Sequence, residues 1–199
     1  DEQVDEWRGL FGVALVSLVG QALITNSDFL LVKSFFSPED AGLYAAISVI
    51  GRITYFGALP VLVLLVPLIS RKQALDEPTL PLFLLLFGGG GAVCLALIIA
   101  SALFAPLIIS VLYGAAYVDA APLLPIYTIA ASLFVLTNFI VNYRIALGRG
   151  DETIMPLIAG AAQFVGIILF HDTLFEVILV QVVLMSVLLA GVAWRAFRT

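Results

Sequence analysis

A long stretch of this chain, residues 78–118, contains no Asp, Glu, Lys or Arg. A transmembrane helix needs about 20 consecutive apolar residues, so this stretch is too long for a single span. The chain has 62% hydrophobic residues and a mean hydropathy of +1.15, whereas soluble domains have roughly 45–50% apolar residues. A chain of 199 residues cannot hide that much apolar surface from water. We therefore predict an all-α, polytopic membrane protein.

Polar turns divide the chain into six predicted transmembrane helices. Ser37 followed by Pro38 is typical of a helix start, because serine caps the helix and proline suits its first turn. We expect Pro60 and Pro67 to kink the second helix, and Pro106 to end the third. The predicted spans are about 9–35, 38–70, 79–104, 120–147, 153–170 and 173–197.

We treat residues 1–199 as a single six-helix transmembrane lobe. The chain begins with the acidic segment Asp1–Glu6, without an initiator Met and without the basic region of a signal peptide. We therefore expect it to be a fragment of a longer polypeptide.

The basic residues indicate how the bundle is oriented. With the N-terminus inside, Lys33 is the one basic residue on the outer side and Arg52 lies within a span. The positive-inside rule then predicts that both termini of this segment are cytoplasmic, with the protein in the cell membrane. The remaining basic residues all fall on the inner side: Arg8, Arg71, Lys72, Arg144, Arg149, Arg195 and Arg198.

Three of the predicted helices carry a polar stripe at helical spacing. Polar stripes in lipid should face one another or a water-filled cavity, because exposing them to lipid is costly. Gln163 and Gln181 are single polar residues in apolar spans, and we expect them to form interhelical hydrogen bonds. The stripes are Ser17, Gln21, Thr25 and Asp28 in the first helix, Tyr44, Ser48, Arg52 and Tyr55 in the second, and Asn138 and Asn142 in the fourth.

Asp28 and Arg52 are the two charged residues expected at membrane depth, roughly 15–20 Å below the outer end of the helices. One interpretation is an ion pair that only holds two helices together, worth roughly 1 kcal/mol. The other is that Arg52, alone or with Lys33, binds an anionic group, since arginine matches phosphate geometry. The two interpretations are compatible if a substrate displaces the pair.

Features typical of enzymes and metal sites are missing from the sequence. The single Cys94 allows no disulfide framework, and no metal site or cofactor is expected. The glycine run at residues 88–91 lacks the Lys-Ser/Thr ending of a phosphate-binding loop, so we expect a bend or close packing there. No hydrolase or metalloprotease motif occurs, and we predict no enzymatic activity. We expect His171 to be a solvated residue at the membrane interface.

Three segments resemble the polysaccharide-flippase branch of the multidrug/oligosaccharidyl-lipid/polysaccharide exporter superfamily, and together they span most of the chain. The first comprises Ser27-Asp-Phe-Leu-Leu-Val-Lys33, Ser37-Pro-Glu-Asp-Ala-Gly-Leu-Tyr44, Gly51-Arg52 and Val66-Pro-Leu-Ile-Ser-Arg71. The second comprises Leu112-Tyr-Gly-Ala-Ala-Tyr117 and Ala120-Ala-Pro-Leu-Leu-Pro-Ile-Tyr127, and the third is Asn142-Tyr-Arg-Ile-Ala-Leu-Gly-Arg149.

This resemblance implies a transporter of two six-helix lobes that flips polyprenyl-pyrophosphate-linked oligosaccharide for cell-surface polysaccharide synthesis. The chain would be one lobe, the C-terminal half, and its partners would be the lipid-linked substrate, membrane lipid and the missing first lobe, with no nucleic acid. The family fixes no single substrate-binding residue, so the site residues are assigned from the burial and charge of the polar stripes. Arg52 and Lys33 would meet the pyrophosphate or acidic sugars, and Asp28 would hold Arg52 or sense the ion or proton that drives the cycle. Gln21, Asn138 and Asn142 would offer hydrogen bonds to sugar hydroxyls.

Three alternatives remain open at the level of sequence. A cation-coupled multidrug antiporter of the same superfamily would use Asp28 to bind the cation. A non-transporting membrane subunit of a glycan-assembly complex would pack its polar stripes without a continuous cavity. A lipid-modifying transferase would need a second acidic residue near Asp28.

Overall fold

The computed structural model describes residues 2–149 and 154–198, with side chains from Leu15 onward apart from Ser17. These residues form helices and turns and contain no strand, which confirms the predicted all-α class. Side-chain predictions for Arg8 and Ser17, and the end of the predicted turn at residues 148–152, lie outside the described part. The helices are α1 (Glu2–Phe35), α2 (Pro38–Ala74), α3 (Leu80–Tyr113), α4 (Leu124–Ala146), α5 (Ile154–Leu169) and α6 (Leu174–Arg198), with a 3-10 helix at Ala115–Leu123.

The turn between α1 and α2 forms as its sequence predicts. Ser37 Oγ accepts a hydrogen bond from Asp40 N at 3.1 Å, and Pro38 is the first residue of α2. Proline is tolerated there because the first N–H groups of a helix have no partner within the helix. α2 then continues as one helix through Pro60 and Pro67 to Ala74.

The third helix differs from the prediction, since Pro106 does not end it. α3 continues to Tyr113, with a kink at Phe104, whose φ and ψ are −124° and 16°. Pro106 has no N–H, and its ring crowds the carbonyl one turn earlier, which accounts for the distortion. The following residues wind as a 3-10 helix, so α4 starts at Leu124 and not near residue 120.

Contacts between the turns show that successive helices run in opposite directions. At one end, Phe35 stacks on His171 of the α5–α6 turn, with ring centroids 4.3 Å apart. At the other end, Ser70 Oγ donates to Ala146 O at 3.2 Å, and Gln73 Nε2 donates to Leu147 O at 3.2 Å. These bonds join the end of α2 to the end of α4 and use carbonyls that a helix end leaves unpaired.

α4 is the central helix of the bundle. In the segment that contains α4, about two-thirds of the most apolar 18-residue stretch is buried inside the bundle. The corresponding stretches of α2, α3 and α6 are between 22% and 33% buried. The outer helices expose large apolar side chains such as Leu85 and Val111. An apolar exterior of this extent is the surface expected in contact with lipid.

Four of the described segments are long and apolar enough to cross a bilayer, and α5 is apolar but shorter. These helices are consistent with the predicted multi-pass membrane protein. The four segments are Pro38–Ala74, Leu80–Tyr113, Ala115–Ala146 and Leu174–Arg198.

Glycine residues allow two close approaches between helices. A Cβ on Gly20 of α1 would lie 2.5 Å from Leu157 N of α5, and a Cβ on Gly160 would lie 2.7 Å from Leu23 Cβ. In the glycine run of α3, Gly90 lies against the ring of Phe139, whereas Gly88 and Gly89 have open space beside them. Close packing therefore explains one glycine of that run, and α3 is helical through all of it.

Candidate functional site

A cavity of about 250 Å³ lies between α1, α2, α4, α5 and α6. Its apolar wall includes Tyr55, Phe56, Phe134 and Met185. Its polar lining residues are Thr25, Asn26, Arg52, Tyr127, Gln163 and Gln181. Asn26 and Phe56 are exposed, so the cavity opens to the outside of the bundle between α1 and α2.

A second groove, of about 360 Å³, lies between α5 and α6 and is almost entirely apolar. Its charged residue is Glu176, whose carboxylate already accepts a hydrogen bond from Asp172 N at 3.1 Å. Because that carboxylate caps the start of α6, we take the first cavity as the candidate site.

Arg52 brings a positive charge to this cavity. It is half-buried, and its Nη2 donates to Thr25 O on α1 at 3.1 Å. Its Nε is buried and has no hydrogen-bond partner among the described residues. A guanidinium offers five N–H donors, so the single bond to α1 fixes its position and leaves donors for a ligand.

Asp28 lies behind the cavity wall and does not pair with Arg52. Its side chain is 1% exposed, and Oδ2 accepts hydrogen bonds from Tyr44 OH at 2.8 Å and Tyr127 OH at 3.0 Å. Oδ1 has no hydrogen-bond partner within the described part of the chain. The predicted ion pair that joins two helices is therefore wrong.

The helices are offset along their axes, which explains the missing ion pair. Asp28 is level with Tyr44, whereas Arg52 is level with Thr25. The two contacts are three residues apart on α1, about 4.5 Å of helix, and eight residues apart on α2, about 12 Å of helix. The sequence predicts the same depth for both charges. In the structure their depths differ, and two tyrosine hydroxyls donate to the Asp28 carboxyl group instead of Arg52.

Tyr127 connects the buried carboxyl group to the cavity. Its hydroxyl donates to Asp28, and its ring forms part of the cavity lining. The ring lies against Gly51 of α2, where a Cβ would overlap it. Tyr44 meets the same ring edge-on, with centroids 5.9 Å apart. Glycine at position 51 therefore sets how closely Tyr127 approaches α2.

The two glutamines form the predicted interhelical hydrogen bonds. Gln163 Nε2 on α5 donates to Ile24 O at 2.9 Å and to Ser27 Oγ at 3.1 Å, both on α1. Gln181 Nε2 on α6 donates to Tyr44 OH at 2.6 Å. A chain of polar contacts thus runs from α6 through Tyr44 to Asp28.

The other predicted site residues do not line this cavity. Lys33 is exposed in the last turn of α1, and Gln21 is half-buried on the same helix. Asn138 and Asn142 donate to carbonyls of their own helix, Phe134 O at 2.9 Å and Asn138 O at 2.8 Å. The structure therefore brings Arg52 to the cavity and Asp28 next to it, and leaves these four residues outside.

Sequence reasoning missed Tyr127 as part of the site. Tyr127 precedes Asn138 by eleven residues, about three helical turns, so the polar stripe of the fourth helix could have been extended to it. Tyr44 was on the predicted stripe of the second helix, but its hydrogen bond to Asp28 was not foreseen.

Neither a group of metal-binding side chains among the described residues nor a similarity to known proteins helps to identify the function of the site. Among the residues the structure describes, no three His, Cys, Asp or Glu side chains come together in a group that could hold a metal ion. Comparisons of the chain with protein-family models, curated proteins and solved structures found no match.

Proposed function

We propose that this chain is one lobe of a transporter that flips polyprenyl-pyrophosphate-linked oligosaccharide across the cytoplasmic membrane. The motifs that resemble polysaccharide flippases support this function, together with an apolar helix bundle whose cavity includes polar side chains in its lining. Both termini of the segment would be cytoplasmic, because exposed arginines gather at the end where α2 meets α3.

The observation that carries the proposal is the position of Arg52. A charged residue inside a membrane bundle is costly and marks a substrate path by default. Arg52 is held by one backbone carbonyl, faces a cavity with aromatic and aliphatic walls, and keeps a buried Nε without a partner among the described residues. A guanidinium among apolar walls suits a ligand that combines a phosphate group with an apolar chain.

The size of the cavity bears on which part of the substrate it would hold. Pockets for drug-sized ligands have volumes of roughly 300–1,000 Å³, and this cavity has about 250 Å³. It would therefore hold the pyrophosphate and the sugar next to it, while the rest of the oligosaccharide lies outside. A second lobe, facing the opening between α1 and α2, would cover that remainder.

The position of Asp28 weakens the multidrug-antiporter alternative. A cation carrier needs its carboxylate in the cavity, whereas Asp28 is 1% exposed and two tyrosine hydroxyls bond to its Oδ2. A non-transporting assembly subunit would pack its polar stripes without a cavity, which does not fit the volume beside Arg52. The described residues that bond to Asp28 are tyrosines and not a second acid, so we do not propose a transferase.

The proposal is tested with the intact gene product in liposomes. Movement of a polyprenyl-pyrophosphate-linked oligosaccharide between leaflets is measured beside efflux of a cationic dye. We expect flipping by the wild type and a loss of roughly tenfold or more in Arg52→Ala, because a hydrogen bond to a charged group contributes about 1.5–3 kcal/mol. Arg52→Lys, which keeps the charge but loses the planar donor set, should retain part of the activity.

Two results would contradict the proposal. Dye efflux without sugar flipping, abolished in Asp28→Asn, would move the protein to the drug antiporters. Neither activity in a correctly folded preparation would make an assembly subunit the better description.

A further inference from the structure

Gln163 has one polar atom that its structural role does not use. Its Nε2 donates to Ile24 O and Ser27 Oγ, which ties α5 to α1. Ile24 O can only accept a hydrogen bond, so the amide nitrogen must face α1 and the amide oxygen must face away. That oxygen, Oε1, is buried and has no hydrogen-bond partner among the described residues.

The side chain with this unused acceptor belongs to the wall of the Arg52 cavity. Gln163 is 1% exposed, and a buried acceptor without a partner is unfavourable. The same cavity carries Arg52, whose Nε is a buried donor without a partner within the described residues. The cavity wall therefore contains a cationic and a neutral side chain, each with one buried polar atom that lacks a partner among the described residues.

We propose that Gln163 determines specificity for the sugar next to the phosphate. Arg52 binds the phosphate oxygens, and Gln163 Oε1 accepts a hydrogen bond from a hydroxyl or amide N–H on the first sugar. This inference rests on the proposed flippase function and adds the group that the cavity recognises. An alkyl phosphate without a sugar satisfies Arg52 and leaves Gln163 Oε1 unpaired.

The side-chain amide of Gln163 is held in a fixed position, which makes it suitable for recognising a sugar group. Two hydrogen bonds to α1 hold the nitrogen, and close packing at Gly20 and Gly160 fixes α5 against α1. An acceptor held in this way selects a donor at one position, because it does not need to be ordered when the ligand binds. If Gln163 only joined α5 to α1, its Nε2 would be sufficient, and Oε1 would stay buried without a hydrogen bond.

The test compares two probes that share the farnesyl diphosphate and differ in the sugar, which also replaces one ionisable oxygen of the terminal phosphate, so each variant is compared with the wild type on the same probe. Binding of farnesyl diphosphate, and of farnesyl diphosphate carrying one N-acetylglucosamine, is measured by calorimetry on the intact gene product in detergent. In Gln163→Met we expect binding of the sugar-bearing probe to weaken by about five- to tenfold, as for loss of one neutral hydrogen bond. Binding of farnesyl diphosphate should stay within about twofold of wild type.

The control is Phe164→Leu, a change at an exposed neighbour on α5 that leaves the affinities for both probes unchanged. Equal losses for both probes in Gln163→Met would show a packing role only and overturn the inference, while leaving the proposed function intact. If the wild type binds neither probe, the proposed function fails as well.

A second variant serves if Gln163→Met does not fold. Ser27→Ala removes one of the two acceptors that orient the amide and keeps Gln163 itself. We expect a loss of about threefold for the sugar-bearing probe and none for farnesyl diphosphate. Equal affinities of this variant and the wild type for the sugar-bearing probe would overturn the orientation argument.

Discussion

At the scale of single residues, Asp28 shows how a carboxyl group is accommodated inside an apolar bundle. Two neutral hydroxyls donate to it, and the nearby guanidinium of Arg52 bonds elsewhere. Removing a donor from a buried charged or polar group is costly, because the group cannot recover a bond to water. The tyrosines therefore stabilise the bundle and keep Arg52 available to the cavity.

The two tyrosines should contribute unequally to stability. Tyr44→Phe removes the bond to Asp28 and also the acceptor of Gln181 Nε2, whereas Tyr127→Phe removes one bond. We expect a loss of about 2–3 kcal/mol in unfolding free energy for Tyr44→Phe and about 1–2 kcal/mol for Tyr127→Phe. The measurement is denaturant unfolding in detergent.

Tyr55→Phe is the matched control for this pair. Its hydroxyl makes no hydrogen bond within the described residues, and we expect a change smaller than about 0.5 kcal/mol. If all three variants unfold alike, the hydrogen bonds to Asp28 do not contribute to the stability of the bundle.

Asp28 and Arg52 also show how far the sequence could predict the site. Helical spacing was enough to place Asp28, Ser48 and Arg52 toward the interior. The partner of each charge could not be predicted, because it depends on how the two helices are offset along their axes and on how far the arginine side chain reaches. Such an offset is set by packing contacts such as the one between Gly51 and Tyr127, which involve residues far apart in sequence.

At the scale of helices, α1 is fixed by its contact with α5 more than by its hairpin with α2. Gly20 and Gly160 let the two backbones approach, and Gln163 adds hydrogen bonds to the same surface. In membranes such small residues allow packing that lipid cannot replace. Since Thr25 O holds Arg52, the position of α1 also fixes the guanidinium.

Substitution of Gly20 should therefore disturb the bundle. A Cβ in Gly20→Ala would lie 2.5 Å from Leu157 N and 2.7 Å from Pro156 C, and a backbone cannot rotate away as a side chain can. We expect a loss of about 1–3 kcal/mol, the usual cost of overpacking. Thermal unfolding in detergent, followed by circular dichroism, measures it.

Gly88→Ala in α3 is the control, because no atom lies within 4 Å of the added Cβ. Alanine is the better helix former, so this variant should be at least as stable as the wild type. A Gly20→Ala variant as stable as Gly88→Ala would show that α1 and α5 are not held by close packing.

Helix starts and ends were predictable where local chemistry decides them. The cap at Ser37 and the first-turn Pro38 lie where the sequence places them. The segment at Ala115–Leu123 was harder, since its alanines and tyrosine suit either a helix or a loop. The sequence predicts that Pro106 ends the third helix, but the flanking apolar helix tolerates a local distortion and continues.

At the scale of the whole molecule, the structure separates charges between the two ends of the bundle. The end where α2 meets α3 exposes Arg71, Arg149, Arg195 and Arg198. The opposite end exposes Glu39, Asp119 and Asp172, with Lys33 as its basic residue among those described. The positions of the charged residues between the predicted spans were enough to predict this polarity, because it depends on the count of spans and not on how they pack.

The charge separation predicts which end faces the cytoplasm. Cytoplasmic loops are enriched in Lys and Arg, so the α2–α3 turn should lie inside and the segment between α3 and α4 outside. Cys94 is 2% exposed and is the single cysteine of residues 1–199, so Cys94→Ala, with any cysteines elsewhere in the gene product replaced as well, provides the background. Single cysteines are then introduced as Leu75→Cys and Asp119→Cys, both at exposed positions.

Labelling of intact cells with a membrane-impermeant maleimide checks this orientation on the full-length gene product. We expect Asp119→Cys to react in intact cells and Leu75→Cys to react only after permeabilisation. The opposite pattern would place the basic end outside, contrary to the positive-inside rule. The Arg52 cavity opens sideways between α1 and α2, so the proposed binding of a phosphate group at Arg52 does not depend on which end of the bundle faces the cytoplasm.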